Sequence, residues 1–174
     1  MSHSLTQYDR VFSEAIADIK AEGRYRVFTE LKRLAGRFPR ALSTRINEEV
    51  IVWCANDYLG MGQHPKVLNA MKEAIDGMGA GAGGTRNISG NHHCITSLER
   101  TIAELHHKES ALVFTSGYVA NEASLATLGA MLKDCVIFSD SDNHASMIHG
   151  IRQSGAEKKI FRHNDADHLA KLLA

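Results

Sequence analysis

An alternation of apolar runs and helical patterns from residue 111 onward constrains the fold of this chain more than any other feature. Three apolar runs predict strands and each is followed by a helical pattern: strands at 111–115, 135–139 and 159–162, helices at 118–132, 144–153 and 166–173. Such alternation is typical of α/β proteins with a largely parallel sheet. The last helical pattern runs to Ala174 without a capping residue or a closing strand, so we expect the natural domain to continue.

The preceding part of the chain has a different pattern. Residues 5–21 carry apolar side chains at helical spacing and predict an amphipathic helix that ends near Gly23. Residues 41–54 predict two short strands around an Asn47-Glu48 turn. Between helix and hairpin lies the arm Glu22–Arg26, in which two arginines flank a tyrosine. A solvated basic turn is an equal alternative for that arm.

These patterns divide the chain into two parts. We predict that residues 1–58 form a helix, an arm and a short β-hairpin, and that residues 59–174 form the first part of a larger α/β domain. Helical patterns at 65–76 and 95–107 flank a glycine-rich stretch within the second part.

The glycine-rich stretch is the strongest indication of a ligand. Six glycines lie between Gly77 and Gly90, together with the hydrogen-bonding side chains of Thr85, Arg86 and Asn87. Glycine allows positive φ and close backbone approach but costs chain entropy, so this density favours a binding loop over a structural turn. A flexible linker is the alternative. Gly79, Gly81 and Gly84 also match G-x-G-x-x-G, the fingerprint of dinucleotide-binding sites. We reject that interpretation because the fingerprint requires a preceding strand, and a helical pattern precedes these glycines.

Charge and targeting patterns narrow the class of partner. Twenty basic residues balance twenty acidic ones without a long block of like charge, so neither nucleic acid nor a membrane surface is indicated. No secretory signal and no apolar stretch long enough to span a membrane is evident. We therefore expect a cytoplasmic protein that acts on small molecules.

The metal-ligating residue types do not form a recognisable set. Three cysteines, Cys54, Cys94 and Cys135, are far apart and lack a C-x-x-C spacing, which predicts reduced thiols in small core positions. Adjacent histidines near residues 92 and 106 point in different directions on a helix, so we expect no metal site.

Two strand-to-helix junctions carry candidate binding residues. At Ser116-Gly117-Tyr118, free backbone N–H groups and the positive end of a helix dipole are expected to form a phosphate site, although a plain turn is the alternative. At the next junction, Ser139 to His144, polar residues follow a strand at the sheet edge where open α/β proteins bind ligands. A histidine there can stack on a flat heteroaromatic ring.

These segments together resemble the α-oxoamine synthases, which are pyridoxal-phosphate enzymes of fold type I. The resemblance covers nearly the whole chain and rests on four motifs: Asn56-Asp-Tyr-Leu-Gly60, Gly83-Gly-Thr-Arg-Asn-Ile-Ser-Gly90, Thr115-Ser-Gly-Tyr-Val-Ala-Asn121 and Ser141-Asp-Asn-His-Ala-Ser-Met-Ile148. It implies part of an aspartate-aminotransferase-like large domain and a cytoplasmic homodimer with a shared active site. Within the family, Glu22–Arg26 and the residues after the glycines resemble members that make 5-aminolevulinate from glycine and succinyl-CoA, the entry to tetrapyrroles and heme.

The resemblance implies a role for individual residues. Pyridoxal phosphate would be held by Ser116, Gly117 and Tyr118 through its phosphate, and by His144, which would stack on its pyridine ring and take part in catalysis. Asn56 would bind the glycine carboxylate. Arg26 and Thr85 would bind the succinyl carboxylate. The acyl-CoA path would include Asn87, Ile88, Ser139 and Lys158.

The chain departs from the family in one respect. The lysine that forms the Schiff base and the aspartate that pairs with the pyridine nitrogen belong to sequence beyond residue 174, so we expect no catalysis by these residues alone. Two alternatives stay open: another α-oxoamine synthase with a different amino acid or acyl donor, and a non-catalytic module that binds the cofactor or serves in assembly.

Overall fold

The computed structural model describes residues 6–174 and separates them into two compact units. The first unit ends at Gly81 and the second is Ala82–Ala174. The boundary predicted from the sequence lies at residues 58/59 and separates segments with different expected roles. It is a different kind of boundary from that between compact units, and it stays a prediction.

The first unit contains two α-helices and a small antiparallel sheet. Its elements are α1 (Gln7–Ala21), β1 (Leu31–Arg33), β2 (Arg40–Ser43), β3 (Glu48–Ile51), a 3₁₀ turn (Met61–Gln63) and α2 (Pro65–Met78). The sheet order is β1-β2-β3, with Ala41 opposite both Arg33 and Val50. The predicted hairpin is confirmed, and Asn47 has a φ of +54°, which asparagine tolerates well. The strand β1 was not predicted.

Local capping explains where these helices begin. Thr6 and Asp9 form a reciprocal capping box at α1, in which Thr6 N–H donates to Asp9 Oδ2 at 2.8 Å. At α2, His64 is the N-cap and Pro65 occupies the first helical position, where a missing N–H costs nothing. Gly79 ends α2 with a φ of +77°.

The second unit contains four α-helices and a two-stranded sheet. Its elements are α3 (His93–Leu105), α4 (Gly117–Met131), β4 (Val136–Asp140), α5 (Ala145–Ser154), β5 (Glu157–Phe161) and α6 (Ala166–Leu173). Strands β4 and β5 are parallel, with Ile137 opposite Lys158 and Ser139 opposite Ile160, and α5 is the crossover between them. The predicted parallel α/β winding is confirmed here.

Close packing of α4 on α5 forms the core of this unit. A Cβ on Gly150 would lie 2.8 Å from the Glu122 carbonyl oxygen, and one on Gly129 would lie 2.7 Å from Ser154 Cβ. Glycine at both positions therefore allows the helices to approach closely, and Ile151 is buried nearby.

Two expectations from the sequence are wrong. The apolar run 111–115 is not a strand in the structure, because no strand among residues 6–174 pairs with it and the Val113 N–H donates instead to the Glu99 carboxylate at 2.7 Å. The cysteines are not core residues, since Cys54 and Cys94 are exposed and Cys135 is half-buried. Apolar character alone did not report burial at these positions.

Candidate functional site

The amino-terminal end of α4 presents unpaired backbone donors. Ser116 is the N-cap, and its Oγ accepts from the Val119 N–H at 3.2 Å. The structure shows no acceptor within residues 6–174 for the N–H groups of Gly117 and Tyr118. A Cβ on Gly117 would meet no atom within 4 Å. Free N–H groups at the positive end of a helix dipole form a site for an anion such as phosphate.

His144 lies beside this site at the start of α5. Its ring and that of Tyr118 meet edge to face, with centroids 6.0 Å apart and an interplanar angle of 71°. The structure therefore brings together two of the predicted cofactor residues, one at each junction. The His144 side chain is exposed, which leaves ring surface for a flat ligand.

Buried polar groups fix the orientation of the His144 ring. Its Nδ1 accepts from the Ser146 N–H at 3.2 Å and lies 2.7 Å from Ser146 Oγ. Ser146 is fully buried and its Oγ also accepts from Asn121 Nδ2 at 3.1 Å. Because Nδ1 is an acceptor, the proton of the neutral ring belongs on Nε2. Asn121 and Ser146 lie in two of the motifs, but no role was predicted for either residue.

Tyr118 has a second aromatic partner that the sequence did not indicate. Its hydroxyl lies 2.7 Å from His149 Nδ1, and the two rings are edge to face at 5.9 Å. The contact joins residues that are 31 positions apart, so no local pattern could reveal it. The contact holds the Tyr118 ring against α5. The same ring packs edge to face with His144.

Asp140 organises the β4–α5 junction. Its carboxylate accepts from the N–H groups of Asp142 at 2.8 Å and Asn164 at 3.1 Å, and from His163 Nδ1 at 2.9 Å. These bonds tie the end of β4 to the residues after β5. The Asp142 N–H is the main cause that lowers the pKa of Asp140, followed by the His163 hydrogen bond, and the same bond raises the pKa of His163.

The Asp140–His163 pair predicts a pH dependence of stability. A raised folded-state pKa means that the contribution of His163 is complete below its unfolded value of about 6.5 and is lost as pH rises through the folded value. We expect the wild-type chain to lose stability between pH 5.5 and pH 8.5, and His163→Gln to lose less over that range. Chemical denaturation at both pH values measures the difference. His106→Gln is the control, since that side chain has no hydrogen-bond partner within residues 6–174.

The glycine-rich loop contains a hydrogen-bonded turn after its positive-φ glycines. Gly79, Gly81 and Gly83 have positive φ, between +73° and +81°, and the Thr85 carbonyl accepts from the N–H groups of Ile88 at 3.1 Å and Gly90 at 2.8 Å. The loop therefore closes on itself around Thr85. These hydrogen bonds favour a binding loop over a flexible linker for residues 85–90, and the ligand-binding role stays a prediction.

The predicted acyl-donor residues fall into two groups. Thr85, Asn87 and Ile88 are exposed on the loop, and Ile88 is 86% exposed. Ser139 is buried at 3% exposure, where its hydroxyl donates to the Asp140 carbonyl and accepts from Asn143 Nδ2 at 2.8 Å. Lys158 is exposed on the neighbouring strand, opposite Ile137 and therefore on the sheet face of Ser139. Their roles stay predictions.

In the first unit, Asn56 lines a pocket of about 500 Å³. Arg33 and Asp57 also line it and pair at 2.7 Å. The Gly62 N–H is the main cause that lowers the pKa of Asp57, and Arg33 is the next. The Asn56 amide has no hydrogen-bond partner in residues 6–174, so it is available to a carboxylate.

Arg26 is also available to a ligand. It is exposed in the arm after α1 and forms no ion pair or hydrogen bond with residues 6–174. Its neighbour Arg24 instead pairs with Glu22, with Nε 2.5 Å from Oε2. The two arginines of the arm therefore differ, and only the second keeps its donors free.

Among residues 6–174, no group of three or more His, Cys, Asp or Glu side chains is arranged to hold a metal ion. None of the helices in this range has the length and apolarity that a membrane crossing requires.

With this geometry established, comparison with known proteins identifies the class. Residues 48–174 match the family described as aminotransferase class I and II, and the chain belongs to that family. Its α/β architecture is that of fold type I pyridoxal-phosphate enzymes. A serine palmitoyltransferase from Sphingomonas wittichii aligns over 98% of this chain and 41% of that one. The TM-score of this alignment is 0.74 and the sequence identity is 28%. A second, from S. paucimobilis, was solved with a pyridoxal phosphate–myriocin adduct and aligns over 99% of this chain and 42% of that one with a TM-score of 0.73 and 27% identity.

The curated relatives are more specific. A 5-aminolevulinate synthase from Bradyrhizobium diazoefficiens is 54% identical over 168 residues, which are 95% of this chain and 41% of that protein. A mitochondrial 5-aminolevulinate synthase from Emericella nidulans is 54% identical over 167 residues, 96% of this chain and 26% of that protein. The resemblance to 5-aminolevulinate synthases inferred from the motifs is therefore confirmed. The chain spans less than half the length of these relatives.

Proposed function

We propose that this chain forms the cofactor-phosphate and acyl-donor part of an enzyme that condenses glycine with succinyl-CoA and releases coenzyme A and carbon dioxide to give 5-aminolevulinate. The observation that carries the proposal is the pairing of two free N–H groups at the start of α4 with the oriented His144 ring beside them. The similarity to 5-aminolevulinate synthases supports the choice of substrates.

Pyridoxal phosphate fits this arrangement. An anionic phosphate matches the N–H groups of Gly117 and Tyr118, and a planar pyridine ring matches the exposed surface of His144. When bound, the cofactor supplies an electron sink for the carbanion that forms from glycine. The chain supplies binding and orientation.

Each substrate has a matching group in the chain. The free amide of Asn56 would bind the glycine carboxylate, and the free guanidinium of Arg26 would bind the succinyl carboxylate with two parallel hydrogen bonds. Thr85, Asn87 and Ile88 would contact the acyl donor from the glycine-rich loop, with Ser139 and Lys158 further along its path. These assignments are proposals.

We further propose that the enzyme works as a cytoplasmic homodimer and that its anchoring lysine lies outside these 174 residues. By itself the chain would bind ligands without catalysing the reaction. The apolar face of α1 supports a partner, because Tyr8 is 74% exposed and Phe12 is 62% exposed.

Gly117→Ala tests the phosphate site. The added methyl meets no atom of the chain within 4 Å, so the melting temperature should stay within about 2 °C while the affinity for pyridoxal phosphate falls about tenfold or more. Equilibrium dialysis and thermal unfolding measure the two quantities. Gly77→Ala in α2 is the matched control, because its methyl also meets no atom and lies in the other unit. An unchanged affinity in Gly117→Ala would place the phosphate elsewhere.

A further inference from the structure

Arg86 differs from its neighbours in the glycine-rich loop because its side chain is used inside the chain. Its Nη1 lies 2.5 Å from Glu99 Oε1 and its Nη2 lies 2.9 Å from Glu99 Oε2. Nε and Nη2 also donate to Asn91 Oδ1 at 3.1 and 2.8 Å. The three nitrogens of the guanidinium are thus engaged by α3 and by the end of the loop, so this arginine is not presented to a substrate.

Glu99 joins the loop to a second segment. Its Oε1 also accepts from the Val113 N–H at 2.7 Å, three residues before the N-cap of α4. The Arg86 hydrogen bonds are the main cause that lowers the pKa of Glu99 to about 2, and the Val113 bond is the next. Glu99 is only 13% exposed, and Arg86 is 35% exposed. One carboxylate therefore fixes both the glycine-rich loop and the approach to the phosphate site.

The forked contact with Glu99 directs the Arg86 side chain toward α3 and so affects the orientation of the residues on either side of Arg86. A forked ion pair fixes direction as well as distance, unlike the point charge of a lysine. With Arg86 directed toward α3, its neighbours Thr85 and Asn87 are exposed. The two hydrogen bonds to the Thr85 carbonyl close the loop in that state.

We infer that Arg86 and Glu99 are a positioning pair that holds Thr85 and Asn87 toward the acyl donor and links this loop to the segment before the phosphate site. The ligand contact rests on the proposed function, whereas the effect on the loop does not. Neither residue touches a substrate in this scheme.

Hydrogen exchange of the 174-residue chain tests the effect on the loop. Arg86→Lys should speed exchange of the Ile88 and Gly90 amides about tenfold or more, because lysine cannot form the fork. Val113 should stay protected in that variant, since the Glu99 carboxylate remains. Glu99→Gln should speed all three amides. Glu104→Gln, on the same helix and exposed, is the control and should change none of them.

Two results would overturn the inference. One is exchange of Ile88 and Gly90 within about twofold of wild type in both variants. The other is an equal rise at the buried Ile151 of α5, which would indicate general unfolding instead of release of the loop. A variant that combines Arg86→Lys with Glu99→Gln adds a check. Because the two residues act as one pair, their effects on amide exchange should not be additive.

The ligand contact is tested in a chimera in which this segment replaces its matching part of the Bradyrhizobium diazoefficiens synthase. Succinyl-CoA should protect Ile88 and Gly90 more than free coenzyme A does, and Arg86→Lys should reduce that difference while the affinity for pyridoxal phosphate is kept. If succinyl-CoA gives no extra protection while Arg86→Lys still frees the loop, the acyl-donor role of the loop is wrong and only the structural link remains.

Discussion

Replacing Gly90 with alanine is expected to open the glycine-rich loop. The new methyl group would collide with the Gly84 carbonyl and would lie 2.9 Å from the Thr85 carbonyl carbon. All of these atoms belong to the backbone, so rotation of a side chain cannot relieve the contact. The loop must separate, and the Gly90 N–H loses its hydrogen bond to the Thr85 carbonyl.

The expected cost in free energy is large for one methyl group. Overpacking a close contact costs about 1–3 kcal/mol, and a lost hydrogen bond costs about 0.5–1.5 kcal/mol. We therefore expect closure of the loop to weaken by about 2–4 kcal/mol, or about 30- to 1,000-fold. Thr85 and Asn87 would lose their fixed direction along with the loop.

Exchange of the Ile88 amide measures this opening, and succinyl-CoA binding in the chimera measures its consequence. Gly77→Ala in α2 is the control, because its methyl group meets no atom within 4 Å. Ile88 exchange that matches wild type in Gly90→Ala would mean that the loop has another closed state and that glycine is not required there.

The sequence predicted the elements whose information is local. The helix predicted at 166–173 is observed as Ala166–Leu173, and α4 and α5 begin within one residue of their predicted starts. Periodicity and capping residues define such segments without knowledge of the rest of the chain. The run 111–115 differs because a strand depends on a partner, and Val113 has a carboxylate partner instead of a neighbouring strand.

The candidate site was predictable to a similar extent. The glycines, the Ser116 cap and the position of His144 at the start of α5 follow from motifs of a few residues. The contacts that orient these residues do not, because Asn121–Ser146 joins positions 25 apart and Arg86–Glu99 joins positions 13 apart. Arg86 shows the consequence most clearly. It lies among residues predicted to bind a ligand and was itself given no role from the sequence, whereas the structure shows an internal contact with Glu99.

Arg26→Leu is expected to reduce the use of succinyl-CoA selectively. If the guanidinium binds the succinyl carboxylate, the substitution leaves that carboxylate against an apolar side chain. Losing one member of a desolvated charge pair costs about 2–5 kcal/mol. In the chimera, kcat/KM for succinyl-CoA should therefore fall by about 30- to several-thousand-fold. An acyl-CoA of similar length whose acyl group is uncharged has no terminal carboxylate that could lose its partner. Its kcat/KM should therefore change little.

The size of the effect also reports the environment of the pair. Arg26 is exposed in the structure, and an exposed ion pair contributes only about 0–1 kcal/mol, or at most about fivefold. A large selective loss therefore requires that the bound substrate and its surroundings exclude water from the guanidinium. Arg24→Leu is the matched control, because Arg24 lies two residues away and already pairs with Glu22. If Arg26→Leu lowers kcat/KM equally for both acyl donors, Arg26 contacts the coenzyme A portion or supports the arm. The selection of a dicarboxylic acyl donor then belongs to another residue.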